Sequence, residues 1–172
     1  MNSVRYLFLI ALAAAFAPAQ QAIAQETAPP ATAPNPSAQP GPVASTDGET
    51  PGMRVEVTEL KRSGSVVTLK FTIVNESSDE FNFGYDLGDP SMSTIDFNSI
   101  GGIHLIDNEG KKKYMVVRDA SNKCVCSSGL KALAPQARMA LWARFPAPPA
   151  DVETVSVIIP HFIPMDGVPL SQ

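Results

Sequence analysis

Two cysteines separated by one residue carry the clearest chemical potential in this sequence. Cys124 and Cys126 flank Val125, so three kinds of chemistry are open to their thiols: a disulfide, a copper(I) site and a reversible redox couple. Two thiolates alone make a poor zinc site, which needs four ligands, and the spacing is not the Cys-x-x-Cys of thioredoxin-like proteins. We favour the disulfide, which should rigidify residues 119–133 and be easier to reduce than a bridge that closes a long loop.

The two histidines are the next candidates for metal chemistry. His104 and His161 could join Met115 and Met165 in a copper site, because imidazole and thioether groups both bind copper. The close His and Met spacing used by periplasmic copper carriers is missing, and His104 lies within an apolar, strand-like stretch. We therefore expect solvent-facing or hydrogen-bonded histidines and no bound metal.

Oxygen-bearing side chains offer two weaker signals. Asp86, Asp89 and Asp96 could supply calcium ligands, but they lack the regular spacing of a calcium loop, and aspartates are ordinary turn residues. Residues 75–77 read Asn-Glu-Ser, which matches the sequon for N-glycosylation. We expect the aspartates to form turns.

Enzyme motifs are missing from the sequence. It contains no Gly-x-Ser-x-Gly elbow, no His-Glu-x-x-His motif, no P-loop and no dinucleotide-binding glycine motif. The formal net charge is −4, and the only basic run, Lys111–Lys113, is too short to follow a phosphate backbone. We expect a protein that is not an enzyme, with no catalytic residues, no cofactor and no nucleic-acid partner.

The N-terminus carries an export signal. Residues 7–16 form an apolar run of signal-peptide length behind Arg5, and residues 22–24 read Ala-Ile-Ala, a cleavage pattern. We predict a signal peptide over residues 1–24, with an uncleaved membrane anchor as the alternative. Cleavage would leave no membrane span and place the cysteines in the oxidising periplasm or outside the cell.

A spacer and a single domain follow the signal. Residues 25–52 are rich in Pro, Ala, Ser and Thr and have one large apolar residue, so we predict a disordered linker there. Residues 53–172 then contain enough apolar material for one β domain.

Seven segments of this domain alternate apolar and polar side chains, the pattern that predicts strands. They are residues 53–58, 67–73, 81–85, 103–107, 113–118, 138–145 and 153–159. Turn residues between the first and second segments, and between the fourth and fifth, predict two hairpins. Trp142 is out of register with the apolar residues of its own segment, which indicates a position on the outer face of its strand.

Seven short strands without a helical repeat predict an all-β fold. We expect an immunoglobulin-like antiparallel β-sandwich of about seven strands, and strand counting leaves a small closed barrel as the alternative. The tail after residue 160 should pack irregularly or as a short edge piece. Exposed strand edges and the loops at 86–102 and 119–133 are the expected contact surfaces.

The region from Ile103 to the C-terminus, about 70 residues, has a recognisable layout. It includes Leu-Ala-Pro at 133–135, Phe-Pro-Ala-Pro-Pro at 145–149 and Met-Asp-Gly-Val-Pro-Leu at 165–170. This layout resembles secreted immunoglobulin-like domains of bacteria, some of which precede an OmpA-like peptidoglycan-binding domain. The resemblance implies an immunoglobulin-like fold and no catalytic residues. No OmpA-like domain follows in this sequence, so wall binding through such a domain is not expected.

Together these features predict a non-catalytic exported module of the bacterial envelope. It would act by binding an envelope protein or a surface polymer, or would serve a structural role. The alternative function is a periplasmic copper-binding or redox protein that uses Cys124 and Cys126.

Overall fold

The computed structural model describes residues 41–83, 87–92 and 98–172. In these ranges the chain forms eight β-strands and one short 3-10 turn, Pro90–Met92, without any α-helix. The first sheet has the strand order β1 (Ala44–Asp47), β2 (Met53–Ser63), β3 (Val66–Asn75) and β6 (Arg138–Pro146). The second sheet has the strand order β5 (Lys112–Met115), β4 (His104–Asp107), β7 (Thr154–Ile158) and β8 (Met165–Pro169). All strand pairs within the sheets are antiparallel.

The β2–β3 hairpin shows how the alternating sequence becomes a two-faced sheet. Its two-residue turn contains Gly64, whose φ of 59° lies in the left-handed region that glycine adopts without steric strain. A β-bulge between Val57 and Glu59 adds one residue, so that Leu60 points inward after Val57 does. The bulge therefore keeps apolar side chains on the inner face across a break in the sequence pattern.

The two sheets enclose one apolar core, the arrangement of a β-sandwich. The first sheet contributes side chains that are at most 1% exposed, among them Val55, Val57, Leu69, Phe71, Ile73 and Phe145. The second sheet and its flanks contribute Leu105, Val155, Val157 and Ile159, which are equally buried. Burial of this apolar surface is the main stabilising contribution to the fold. The predicted all-β fold with two antiparallel layers is confirmed.

The C-terminal tail ties the two sheets together. β8 is an edge strand of the second sheet, which confirms the predicted edge piece. After β8 the chain reaches the first sheet, where the Ser171 N–H donates to the Leu60 carbonyl (2.9 Å) and the Arg62 N–H donates to the Ser171 carbonyl (2.8 Å).

Two strand predictions are wrong in part. The predicted strand 81–85 is, over its described residues, a single bridge in which Phe81 and Leu133 exchange backbone hydrogen bonds of 2.9 and 2.7 Å. Leu133 lies in an irregular segment, so it offers no continuous strand for pairing; residues 84 and 85 lie outside the described ranges. The strand predicted over 113–118 ends at Met115, because the chain then crosses to the first sheet, where the Val117 N–H donates to Arg144.

The predicted end of the linker at residue 52 is also wrong. Ala44–Asp47 forms β1, which pairs with β2 through a register that places Ala44 opposite Val57. The polar composition of residues 44–47 gave no sign of this strand, because a short edge strand needs only backbone hydrogen bonds and a partly buried face. The predicted signal peptide and linker residues 25–40 lie outside the described residues.

Candidate binding face

The cysteine segment lies along the outer edge of β6 as a partial extra strand. Cys126 forms a bridge with Ala143, and the Arg144 N–H donates to the Val125 carbonyl (3.1 Å). Cys124 and Cys126 therefore point to the same, inner side, where Cys126 is only 8% exposed and belongs to the core cluster. Their Cα atoms are 5.3 Å apart and their sulfur atoms are at disulfide distance. Copper binding at this pair would first require reduction of the disulfide, because the thiolates are the ligands.

The other predicted metal candidates are dispersed. His104 is half-buried, with Nδ1 3.2 Å from the Gly102 carbonyl oxygen. Burial lowers the pKa of His104; the Gly102 contact opposes this shift, and Lys113 adds to it. Met115 lies opposite His104 in the β4–β5 register, but the positive charge of Lys113 beside this pair disfavours a cation. Met165 is buried in the core, away from solvent.

His161 and the aspartates have other partners. His161 is exposed, with Nδ1 3.0 Å from Glu49 Oε2. Asp89 accepts hydrogen bonds from the Ser91 N–H (2.9 Å) and hydroxyl (2.6 Å) and pairs with Arg118 at 3.2 Å. Partial burial raises the pKa of Asp89, but the bonds from Ser91 and the charge of Arg118 outweigh it and lower the pKa overall. The expected turn role of Asp89 fits this geometry, while Asp86 and Asp96 lie outside the described residues.

An acidic depression of about 280 Å³ lies at one end of the second sheet. It is lined by Asp107, Asn108, Glu109, Asp151, Val152, Glu153, Thr154 and Gly167. The Asp107 carboxylate already accepts the Gly110 N–H (2.8 Å), which closes the β4–β5 turn. Across the part of the chain that the structure describes, no group of three or more His, Cys, Asp or Glu side chains could hold a metal ion.

The outer face of the first sheet has a different character, because its edge strand β6 carries an exposed indole ring. Trp142 of β6 is 41% exposed and lies opposite Lys70 of β3, so its predicted outward position is confirmed. The Arg144 guanidinium carbon lies 5.9 Å from the indole ring centre. Ala140, two residues before Trp142, is short and leaves the surface beside the ring open. We call the surface formed by Thr58, Lys61, Thr68, Lys70, Thr72, Ala140, Trp142 and Arg144 the Trp142 face.

Two shallow depressions adjoin on the Trp142 face. The first, of about 240 Å³, is lined by Thr58, Lys70, Phe71, Thr72, Ala140, Leu141 and Trp142. The second, of about 330 Å³, is lined by Glu59, Lys61, Ser63, Thr68, Lys70 and Arg144. Lys70 lines both, so an apolar aromatic surface passes directly into a cationic one.

The ion pairs on this sheet leave an excess of positive charge at one end. Near the start of β2, Arg54 pairs with Glu56 (3.2 Å) and with Glu76, and Arg138 pairs with Glu56. In the cationic depression, Glu59 pairs with Lys70 at 3.0 Å. Lys61 and Arg144 have no carboxylate within salt-bridge distance among residues 41–83, 87–92 and 98–172.

The outward position of Trp142 was predictable from the alternation of its strand, but the other residues of this face were not. Lys61, Lys70 and Arg144 occupy the polar positions of three alternating strands, where charged residues are ordinary. Only the pairing order β2-β3-β6 brings them around the indole. The expected contact loop at 119–133 instead packs beside β6, through the Ser127 N–H, which donates to the Trp142 carbonyl (2.9 Å).

Comparison of the chain with protein-family models, with curated proteins and with solved structures finds no match in any of the three. Within the described ranges, no helix has the length and apolar character needed to cross a membrane. The Trp142 face is therefore the candidate site on the strength of its own geometry.

Proposed function

We propose that this chain is a non-catalytic, exported module of the bacterial envelope that binds an envelope component through the Trp142 face. The observation that carries the proposal is the position of Trp142. It is the only tryptophan of the chain, and it lies 41% exposed on the outer face of β6, within a regular strand rather than at a loop or terminus.

An exposed indole on a strand offers apolar surface that a partner can cover. Large aromatic side chains are usually mostly buried, because removal of their surface from water is stabilising. A tryptophan held by a rigid strand offers a large contact area and has little conformational freedom to lose on binding. The sheet beneath Trp142 is anchored by Phe71 and Leu141, which are 1% and 5% exposed.

Export and an immunoglobulin-like fold are parts of the same proposal. The signal-like residues 1–24 support export, and cysteine sulfurs at disulfide distance are typical of an oxidising compartment. Two antiparallel four-stranded sheets around one core are compatible with an immunoglobulin-like sandwich. The layout of residues 103–172 supports the same assignment.

Export is tested by expression of the full chain in a bacterial host. The protein recovered from the periplasm or the medium should have the intact mass of a chain that begins at Gln25. Recovery of the full-length chain from the cytoplasm alone would contradict export. Retention of the full-length chain in the membrane would favour the uncleaved anchor.

Binding is tested by sedimentation of the exported protein with isolated bacterial envelopes, with Trp142→Ala beside the wild type. The variant should lose nearly all of the sedimented fraction. Met115→Ala is a matched control, because Met115 is similarly exposed (37%) but lies at the edge of the second sheet. Equal sedimentation of wild type and Trp142→Ala would show that this face does not bind the envelope.

A further inference from the structure

We infer that the partner of the Trp142 face is an acidic sugar chain, with one sugar ring on the indole and an acidic group on Lys61 and Arg144. This inference rests on the proposed function and specifies its ligand. It follows from the shape of the aromatic depression, from the uncompensated charge beside it and from the small apolar area around the indole.

The aromatic depression has the features that a sugar ring requires. A pyranose ring has an apolar C–H face and hydroxyl groups around its rim, so it packs flat on an indole and needs polar partners at the edge. Thr58, Thr72 and Ala140 line the depression beside Trp142 and are all short, which leaves room for a ring. The Thr58 hydroxyl donates to the Lys70 carbonyl (3.1 Å) and keeps its oxygen lone pairs available as acceptors.

The cationic depression supplies the recognition of charge. Glu59 and Lys70 neutralise one another at 3.0 Å, and the remaining cations at this end are Lys61 and Arg144. An arginine guanidinium can lie against an aromatic ring and still direct its N–H groups at a carboxylate or phosphate. Arg144 lies 5.9 Å from the indole centre, so an acidic group bound there belongs to the same sugar or the next one along the chain.

The charge of the whole protein makes this basic surface distinctive. The chain has a formal net charge of −4, and the depression at the end of the second sheet is lined by Asp107, Glu109, Asp151 and Glu153. A polyanion is therefore repelled by that end and attracted to the Trp142 face, which orients it during approach.

The surroundings of Trp142 favour a sugar chain over a protein partner. A stable protein interface buries about 800 Å² on each side around an apolar centre. Here Trp142 is the one large apolar side chain of the depression that is exposed, since Phe71 and Leu141 beneath it are buried, and threonines and charged groups lie around it. A linear polar polymer needs only a narrow contact of this kind, whereas a protein partner would need a broad apolar interface.

The experiment uses Trp142 as its own reporter, since the chain has no other tryptophan. The exported protein is titrated with three probes: a galacturonic acid hexamer, the neutral cellohexaose, and a glutamate hexamer as a polyanion without sugar rings. Tryptophan fluorescence and calorimetry should both detect the galacturonate hexamer, with affinity at least about tenfold above that for either control probe. Added salt should weaken this binding.

Variants separate the two parts of the site. By calorimetry, Trp142→Ala should reduce affinity for the galacturonate hexamer by about tenfold or more, and Arg144→Gln and Lys61→Gln by about threefold or more each. Lys112→Gln, at the β5 end of the other sheet, is the matched control and should leave affinity unchanged. Equal binding of the glutamate hexamer, or no effect of Trp142→Ala, would overturn the inference by showing that charge alone is recognised.

Failure of this inference is distinguishable from failure of the proposed function. If no acidic sugar binds but Trp142→Ala still abolishes envelope sedimentation, the sugar assignment is wrong and the partner is a protein or a neutral polymer. If the Trp142→Ala variant sediments with envelopes as the wild type does, the face itself is not a binding site.

Discussion

Ser127 is hydrogen-bonded to Trp142 in both directions: the Trp142 N–H donates to Ser127 Oγ (3.0 Å) and the Ser127 N–H donates to the Trp142 carbonyl (2.9 Å). Ser127 directly follows Cys126, so the cysteine segment is fastened to the strand that carries the indole. It covers the outer edge of β6, which would otherwise expose unpaired backbone groups. The Cys124–Cys126 pair therefore acts on the edge of the Trp142 face rather than on the whole domain.

Removal of the cysteine pair should loosen this edge first. A disulfide stabilises the fold by lowering the conformational entropy of the unfolded chain, and a bridge across one residue lowers it only slightly. The double variant Cys124→Ala/Cys126→Ala should therefore cost only roughly 1–2 kcal/mol of unfolding free energy. Amide exchange should accelerate at Val125, Ser127 and Arg144 more than in the β2–β3 hairpin, because their hydrogen bonds hold the segment to its neighbours. Denaturant unfolding and hydrogen exchange measure both effects; uniform acceleration across both sheets would contradict a local role.

Arg62 should stabilise the proline-rich connection between β6 and β7. Its guanidinium donates to the carbonyls of Pro148, Pro149 (3.1 Å) and Val152 (3.0 Å). Arg62→Ala leaves these acceptors without their donor and should cost about 1–3 kcal/mol in urea unfolding. Arg62→Lys should recover only part of this loss, because an ammonium cannot reproduce the planar guanidinium geometry.

The adjacent exposed residue provides the control for Arg62. Lys61→Ala should change the unfolding free energy by less than about 0.5 kcal/mol. Equal destabilisation by the two alanine variants would mean that the carbonyl contacts of Arg62 contribute nothing.

Asn75 should be among the least replaceable polar residues of the chain. It is 0% exposed, and its amide donates to the carbonyls of Asp79 (2.8 Å), Leu133 (3.1 Å) and Ala134 (3.2 Å) while its oxygen accepts from Ser77. Asn75→Ala should cost about 1–3 kcal/mol. Asn75→Asp should cost more, because a carboxylate cannot donate and would be charged beside carbonyl oxygens. Exposed Asn82 is the control for the Asn75 stability measurement, and Asn82→Ala should change the unfolding free energy by less than about 0.5 kcal/mol.

The burial of Asn75 also makes the glycosylation sequon at residues 75–77 inaccessible in the folded protein. The folded chain does not present the Asn75 amide to a modifying enzyme, so we expect no glycan on the folded protein. Intact mass after expression in a glycosylating host checks the modification; a glycan at Asn75 would contradict the buried arrangement.

His104 should make the folded protein less stable as the pH falls below about 6.5. Burial lowers its pKa from the ordinary 6.5, so the unfolded chain binds a proton more readily than the folded one. Its contribution is therefore complete above about pH 6.5 and is lost as the pH falls through the folded pKa. The ring protons of His104 in NMR titration should give a midpoint below 6.5, and His104→Gln should flatten this part of the stability profile.

Lys113 provides a second variant for this titration. Its positive charge also lowers the pKa of His104, so Lys113→Gln should move the midpoint upward. A midpoint at or above 6.5 in the wild type would contradict the expected lowering of the His104 pKa by burial.

Much of the strand content was predictable because alternation reports burial directly. Val67, Leu69, Phe71 and Ile73 were expected on one face, and all four are at most 1% exposed. The segment 81–85 has the same pattern, but the rings of Phe81 and Phe83 pack edge to face at 5.3 Å, and the described residues 81–83 form one bridge and no continuous strand. Alternation thus predicted the burial of Phe83 correctly but not the backbone hydrogen bonding, because a strand also needs an adjacent strand with which to pair.

The sequence by itself determined which side chains of each segment turn inward and that residues 124–126 hold two thiols within reach of one another. Both are local properties, set by the two-residue repeat of a strand and by short chain separation. Only the tertiary structure decided that β3 lies between β2 and β6, that Ala44–Asp47 adds an edge strand and that Lys61 and Arg144 are near Trp142. Backbone hydrogen bonds are alike for every pair of strands, so partners are chosen by packing of the whole core, which no single segment encodes.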